Sequence, residues 1–121
     1  MFELMVEGTF DAAHQLIGYE GPCENLHGHT WKVQVFLSGA KLNKTGMVMD
    51  FKQIKAYLQL ILSKLDHTNL NIVPYFKKTN PTSENVAKYI FDEFSRKLGK
   101  SVIVNKVTVF ESPITSASYI R

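Results

Sequence analysis

The chain has 121 residues, of which 45% are hydrophobic and 21% charged, and its formal net charge is +3. These values are typical of one compact domain over residues 1–121 and argue against a disordered chain or a two-domain enzyme. The lone Cys23 excludes an internal disulfide, and the N-terminus lacks a secretion-signal pattern. No apolar stretch approaches the roughly 20 residues of a membrane span, so we expect a cytoplasmic protein.

Charge is distributed unevenly along the chain. Residues 1–31 carry five carboxylates and no Lys or Arg, whereas residues 32–121 hold all 14 bases together with six acids. This excess of bases fits either a solvated lysine-rich surface or an attraction for a small polyanion. A basic nucleic-acid-binding domain is a third interpretation. The lysines are scattered rather than interleaved with aromatic residues, so we predict no nucleic-acid partner.

Alternation with a period of two predicts the first elements. A first strand runs from Phe2 toward His14, and a second runs from Trp31 to Leu37 with its apolar residues at odd positions. Helical spacing follows: Asp50 is the expected N-cap of a helix over residues 51–65.

A second helix is capped by Thr82 or Asn80 and stopped at Gly99. The β-branched run Val102–Glu111 and the segment Ser116–Ile120 then predict a closing hairpin.

The order strand, strand, helix, helix, strand, strand predicts an α+β fold. We expect an antiparallel sheet of four strands with both helices on one face. Phe36 and Phe110 lie beside apolar residues of the opposite parity, which indicates that the second face is covered as well. A homo-oligomer is the simplest cover.

Histidines cluster where the first two strands meet. His27 and His29 are two residues apart just before the second strand, so their rings are expected on one side, and His14 ends the neighbouring strand. The alternative is that these are ordinary core histidines. Three imidazole nitrogens with one open position would make a catalytic Zn²⁺ site.

Three further residues carry candidate chemistry. Cys23 follows a Gly-Pro turn and is either an inert small core residue or, near a metal, a thiolate base. His67 after Asp66 is either a histidine paired with a helix dipole or an imidazole oriented by a carboxylate for proton transfer. Glu111 shares the parity of buried valines, so it is either a surface strand end or an inward carboxylate that accepts two parallel N–H donors from a flat heterocycle.

Six ordered motifs resemble those of the 6-pyruvoyltetrahydropterin and 6-carboxytetrahydropterin synthase family. They span about residues 2–120 and comprise Phe10–His14, Cys23–His29, Gly46–Phe51, Leu65–Asn71, Pro81–Asn85 and Glu111–Pro113. The resemblance implies the tunnelling fold, in which four-stranded sheets with two helices assemble into a barrel, as a trimer or a dimer of trimers with active sites between subunits.

The resemblance also implies a role for each site residue. Zinc would be bound by His14, His27 and His29. Cys23, Asp66 and His67 would form a proton-transfer relay. Glu111 would anchor the pterin ring, with Thr82 and Ser83 nearby.

The resemblance implies a zinc-dependent lyase acting on a pterin triphosphate. Three residues separate Cys23 from His27, which is similar to the queuosine-pathway branch that forms 6-carboxytetrahydropterin from 7,8-dihydroneopterin triphosphate with loss of triphosphate and acetaldehyde. The alternatives are triphosphate elimination to 6-pyruvoyltetrahydropterin and an aldolase-like side-chain cleavage assisted by Glu24. A non-catalytic zinc- or pterin-binding paralogue is the remaining alternative, and the complete relay argues against it.

Overall fold

The computed structural model describes residues 1–18 and 25–121, which contain five strands and two α-helices. In chain order these elements are β1 (Phe2–His14), β2 (His27–Gly39), α1 (Phe51–Ser63), β3 (Thr68–Asn69), α2 (Ser83–Ser95), β4 (Val102–Ser112) and β5 (Thr115–Ile120). Two short 3₁₀ turns, Leu70–Ile72 and Pro74–Lys77, lie between β3 and α2. Neither α-helix in these described ranges is long and apolar enough to cross a membrane.

The strands form one mixed sheet in the order β3-β1-β2-β4-β5. The prediction of a four-stranded antiparallel sheet is wrong in one respect, because β3 adds a fifth strand that pairs in parallel with Ala12 and Ala13 of β1. His67 turns the chain with a left-handed φ of 56°, and its N–H donates to the carbonyl of Asp11 over 2.6 Å. The two residues that follow therefore run alongside β1. A two-residue strand has no alternation that a sequence pattern could show.

Both helices pack on the same face of the sheet, as predicted. On this face β2 presents a fully buried odd-numbered row of Trp31, Val33, Val35 and Leu37. Helix α1 approaches β1 so closely that a Cβ on Gly8 would lie 2.9 Å from Leu62 Cδ1. At the other end, Phe91 of α2 contacts the ring of Tyr119 on β5, with 4.9 Å between centroids.

On the opposite face of the sheet, lysine side chains lie over two phenylalanine rings. Lys32 Nζ lies 4.2 Å from the centroid of Phe110, and Lys106 Nζ lies 4.3 Å from that of Phe36. Such cation–π contacts shield an aromatic ring with a charged group from a neighbouring strand. These two rings therefore do not by themselves require a second subunit, and the homo-oligomer stays a prediction.

The helix caps follow the predictions more closely at the N-termini than at the C-termini. Asp50 caps α1 by accepting from Lys52 N, and Thr82 caps α2 by accepting from Asn85 N. However, α1 ends at Ser63 rather than at residue 65. Likewise α2 ends at Ser95, well before Gly99, which does not adopt the left-handed conformation of a C-terminal glycine. Bonds between residues three apart tighten the chain after α2 instead.

Candidate metal centre and adjoining grooves

Strand pairing brings the three predicted histidines together. His14 at the end of β1 pairs directly with His27 at the start of β2, and His29 lies two residues further along β2 on the same side. The ring centroids are 4.6 Å apart for His14–His27 and for His27–His29, and 5.2 Å apart for His14–His29. The ring of Trp31, two residues after His29 on β2, packs edge-on against the rings of His14 and His29. The antiparallel register therefore makes one cluster of residues that are far apart in the chain.

Hydrogen bonds determine which nitrogens of two rings are free. His14 Nδ1 lies 2.8 Å from the carbonyl of Pro81, and His27 Nδ1 lies 2.7 Å from that of Asn25. A carbonyl oxygen only accepts, so both Nδ1 atoms carry the proton and both Nε2 atoms present a lone pair when the rings are neutral. These Nε2 atoms are 3.2 Å apart. Two lone pairs at that distance favour a shared cation.

The third imidazole has an unpaired buried nitrogen. His29 Nε2 lies 3.0 Å from Glu111 Oε1, yet the geometry is not that of a hydrogen bond, and the atom has no hydrogen-bond partner among the described residues. Burial lowers the pKa of His29, and the nearby His27 and His14 lower it further, whereas Glu111 opposes these effects. His29 thus tends to be neutral with an available lone pair, as a metal ligand must be.

Glu111 joins this cluster from β4. Its Oε1 lies 2.9 Å from His14 Nε2 and 4.0 Å from His27 Nε2, and one ligand atom from each of the four residues lies within 4.8 Å of the others. Sequence reasoning left Glu111 as either a surface strand end or an inward carboxylate, and it did not predict a contact with the histidines. That meeting depends on the register between β2 and β4, which no local pattern shows.

The donor set fits a divalent metal ion. Three imidazole nitrogens and one carboxylate oxygen converge, and Zn²⁺ in proteins is bound by these two donor types. The backbone carbonyls that fix Nδ1 of His14 and His27 are the kind of partner that orients metal-binding histidines. The residues present therefore suit a metal site of the kind predicted.

The loop before α2 and the first residue of that helix each contact the cluster. Besides the Pro81 carbonyl on His14, Ser83 Oγ donates to Glu111 Oε2 over 3.5 Å. The hydroxyl of Thr82 instead accepts from Asn85 N as the helix cap. Ser83 therefore contacts Glu111, whereas the Thr82 hydroxyl oxygen already accepts a hydrogen bond from the first turn of α2.

Asp66 and His67 lie side by side beyond the end of α1. Asp66 Oδ2 lies 3.0 Å from His67 Nδ1, and Asp66 Oδ1 accepts from Asp11 N over 2.9 Å. The Asp11 N–H is the main cause that holds the pKa of Asp66 below its ordinary value, with His67 adding to the effect. The His67 side chain is 79% exposed. It follows the end of α1 by four residues and lies beside a carboxylate.

Two open grooves meet at the cluster. One has a volume of about 450 Å³ and includes His67, Asp11 and Gly28. The other has a volume of about 500 Å³ and includes Glu111 and Lys32. His29 and Thr30 line both grooves. A ligand beside His29 therefore has access to His67 in one groove and to Glu111 in the other. Cys23 and Glu24, the remaining predicted site residues, lie outside the described residues.

Comparisons with known proteins show which sequences this chain is similar to. Residues 3–121 match the family model described as 6-pyruvoyl tetrahydropterin synthase. The 6-carboxy-5,6,7,8-tetrahydropterin synthase of Haemophilus influenzae is 32% identical over 142 aligned residues, covering 98% of this chain and 99% of the relative. The 6-pyruvoyl tetrahydrobiopterin synthase of Homo sapiens is 43% identical over 118 residues, covering 86% of this chain and 81% of the relative.

A solved structure shows the same fold. The 6-pyruvoyl tetrahydropterin synthase of Caenorhabditis elegans superposes with a TM-score of 0.89 at 32% identity, covering 99% of this chain and 95% of that chain. The similarity thus extends over the sheet, both helices and the strand ends that carry the histidines. Because the family model and these relatives each span most of its length, the chain belongs to the 6-pyruvoyl tetrahydropterin synthase family.

Proposed function

We propose that this protein is a zinc-dependent lyase that converts 7,8-dihydroneopterin triphosphate to 6-carboxytetrahydropterin, with loss of triphosphate and acetaldehyde. The observation that carries the proposal is the convergence of three imidazole Nε2 atoms and Glu111 within 4.8 Å of one another in a chain of this family. His67, which lines the adjoining groove and lies beside Asp66, adds a group suited to proton transfer.

His14, His27 and His29 would hold the zinc ion through Nε2. Bound there, zinc would supply Lewis-acid chemistry that makes a substrate hydroxyl and its neighbouring carbon more acidic. The chain contributes the orientation of the rings: carbonyls of Pro81 and Asn25 hold Nδ1 protonated, so the ligand nitrogens need no rearrangement.

Glu111 would bind the pterin ring. Its two oxygens face different groups, with Oε1 near the imidazoles and Oε2 near Ser83. A carboxylate in this position can accept two parallel N–H donors from the amide and amine edge of a pterin. Ser83 would hold the carboxylate in that orientation, and Thr82 would lie beside the ring as part of the α2 cap.

Asp66, His67 and Cys23 would move protons. Asp66 Oδ2 lies 3.0 Å from His67 Nδ1, so the carboxylate would orient the imidazole and leave His67 Nε2 to exchange a proton with substrate or thiol. Cys23, as a thiolate, would remove a proton from the substrate side chain, and His67 would relay it. In an oligomer with sites between subunits, the relay and the metal centre of one site would come from different chains.

The short spacing between Cys23 and His27 favours the 6-carboxytetrahydropterin product. The second candidate, triphosphate elimination to 6-pyruvoyltetrahydropterin, is supported by the 43% identity to the human relative of that name. Glu24 next to Cys23 keeps an aldolase-like cleavage as a third outcome. All three reactions start from one substrate, so a single product analysis separates them.

The test is incubation of the purified, zinc-loaded protein with 7,8-dihydroneopterin triphosphate, followed by identification of the products. Acetaldehyde together with a carboxypterin is the expected result. A pyruvoyl product or a glycolaldehyde-type fragment would replace the proposed reaction by an alternative, and pterin binding without turnover would indicate a non-catalytic paralogue. As a control, Cys23→Ala should retain zinc and assembly while losing turnover, and retained turnover would remove Cys23 from the relay.

We also propose that the chain acts as a single domain over residues 1–121, in the cytoplasm, as a trimer or a dimer of trimers. The match of residues 3–121 to one family model supports the single domain. Sedimentation equilibrium of the purified protein should give three or six times the 13.8 kDa chain mass, and a monomer would refute the assembly.

A further inference from the structure

One groove beside the metal centre contains a lysine. Lys32 lines the groove of about 500 Å³ together with His29, a member of the histidine cluster, and Glu111, the proposed pterin anchor. Among the described residues that line this groove, Lys32 is the one lysine or arginine. Its side chain is half-buried. A lysine ammonium is a compact positive charge with three N–H donors, so this groove offers a binding group for an anion.

The charge of Lys32 has no carboxylate partner in residues 1–18 and 25–121, where the ion pairs of basic side chains are made by other lysines and an arginine. Lys32 lies opposite Thr9 of β1. The carboxylates two residues to either side of Thr9 are Glu7 and Asp11, and both accept hydrogen bonds from uncharged side chains of β2. The ammonium of Lys32 is therefore available to a ligand in the groove.

The ring of Phe110 determines where this ammonium lies. Lys32 Nζ is 4.2 Å from the centroid of Phe110, which lies opposite Lys32 in the register between β2 and β4. A cation–π contact of this kind leaves the charge in place and N–H donors free for a ligand. Lys106 makes the same contact with Phe36 at 4.3 Å but is not among the residues that line this groove. The sheet thus provides two equivalent lysines, one inside the groove and one outside it.

We propose that Lys32 binds the triphosphate of the pterin substrate. The identity of this ligand rests on the proposed function, whereas anion binding in the groove does not. With the pterin ring on Glu111 and the side-chain hydroxyls at the metal, repulsion by the carboxylate drives the phosphates away from Glu111. Lys32 lies three residues beyond His29 on β2, about 10 Å along the strand, a distance that the phosphate chain and the flexible lysine side chain together cover.

This subsite is compatible with an active site between subunits. Lys32, His29 and Glu111 line one groove of one chain, so the phosphates stay on the chain that holds the metal while the relay comes from another chain. The contact with Lys32 selects the phosphorylated pterin over the same pterin without phosphates, because an ammonium binds a polyanion far more strongly than a hydroxyl.

Three variants isolate the charge. Lys32→Met removes the ammonium and keeps an unbranched side chain that covers Phe110, and Lys32→Arg keeps a positive charge in the groove. Lys106→Met makes the same change as Lys32→Met at the matched lysine outside the groove. Both lysines are half-buried on the same face of the sheet, so the two methionine variants should have similar effects on folding.

The experiment measures steady-state kinetics on 7,8-dihydroneopterin triphosphate, zinc content, and equilibrium binding of 7,8-dihydroneopterin, which lacks phosphates. In Lys32→Met we expect KM to rise about ten- to a hundred-fold through the loss of charged hydrogen bonds. The value of kcat should stay near wild type, because this contact is made in the ground state and the transition state alike. Zinc content and dihydroneopterin binding should not change. Lys106→Met should behave as wild type, and Lys32→Arg should keep most of the affinity.

An unchanged KM in Lys32→Met would overturn the proposal, and so would an equal rise of KM in Lys106→Met. Weaker binding of dihydroneopterin to Lys32→Met by the same factor as the rise of KM would also overturn it, because the lysine would then act on the ring or on the fold.

If the wild-type protein does not turn over the pterin triphosphate, the proposed function fails, and calorimetric titration with inorganic triphosphate decides the anion site. Zinc content is checked after each titration, since triphosphate also chelates metal ions. Binding at least ten-fold tighter to wild type and Lys106→Met than to Lys32→Met supports the site. Equal binding to all three, or no binding to wild type, refutes it.

Discussion

Zinc binding should raise the thermal stability of this protein through the histidine cluster. His14 and His27 present Nε2 atoms 3.2 Å apart, and Nε2 of His29 is buried without a hydrogen-bond partner among residues 1–18 and 25–121. Only the folded chain brings these atoms together, because strand pairing sets their spacing. A metal that binds the folded state and not the unfolded state stabilises by mass action.

The size of the effect follows from chain length. At a free zinc concentration of a hundred times Kd, the stabilisation is about 2.7 kcal/mol. An unfolding entropy of about 2.1 cal/mol/K per residue gives about 250 cal/mol/K for 121 residues, or about 4 °C per kcal/mol. We therefore expect the Tm of metal-free protein to rise by about 11 °C on zinc addition.

The assay is differential scanning fluorimetry of chelator-treated protein titrated with zinc, with metal content measured in parallel. His29→Ala should lose most of the shift, because one of three nitrogen ligands is gone. His67→Ala is the matched control, since His67 lies outside the cluster and is largely exposed. A shift of equal size in His29→Ala and wild type, or its loss in His67→Ala alone, would refute the assignment of the ligands.

Three further predictions follow from individual contacts. Gly8→Ala should destabilise the fold by about 1–3 kcal/mol in urea unfolding, because the new Cβ would lie 2.9 Å from Leu62 Cδ1. Gly28→Ala is the control, because its new Cβ would have no neighbour within 4 Å in the part of the chain that the structure describes, and equal losses would contradict the overpacking argument. Glu111→Ala should raise KM for the pterin substrate about ten- to a hundred-fold through the loss of charge-assisted hydrogen bonds, with zinc content unchanged. Loss of zinc there would instead identify a ligand. The folded-state pKa of Asp66 is below its ordinary 3.8, so its ionised form adds stability that is lost as pH falls through that lowered pKa. Urea unfolding from about pH 6 to about pH 3 should thus show a shallower decline in Asp66→Asn, and parallel curves would argue against it.

The sequence predicted those site features that depend on local periodicity. A period of two along β2 placed His27 and His29 on the side of Trp31, and the motif order identified His14 as the third member. The N-caps Asp50 and Thr82 were also readable, because a cap is a contact between residues two or three apart. Such features depend only on residues that are close together in the sequence.

Features that join distant segments were not readable in the same way. The parity of Glu111 allowed either a surface strand end or an inward carboxylate, and its 2.9 Å approach to His14 Nε2 depends on how β4 lies beside β2. The lysine cover of Phe36 and Phe110 likewise depends on which residues oppose one another across strands. Cross-strand register is a property of the whole sheet, and one strand's pattern does not contain it.

The sequence by itself thus determined the element types, the inward faces and the residues capable of chemistry, because these follow from side-chain periodicity and local hydrogen bonding. Only the tertiary structure decided that Glu111 joins the histidines and that β3 pairs in parallel with β1. It also decided that the Asp11 N–H donates a hydrogen bond to Asp66. Each of these contacts joins residues more than fifty positions apart, and their geometry is set by packing of the complete core rather than by local preference.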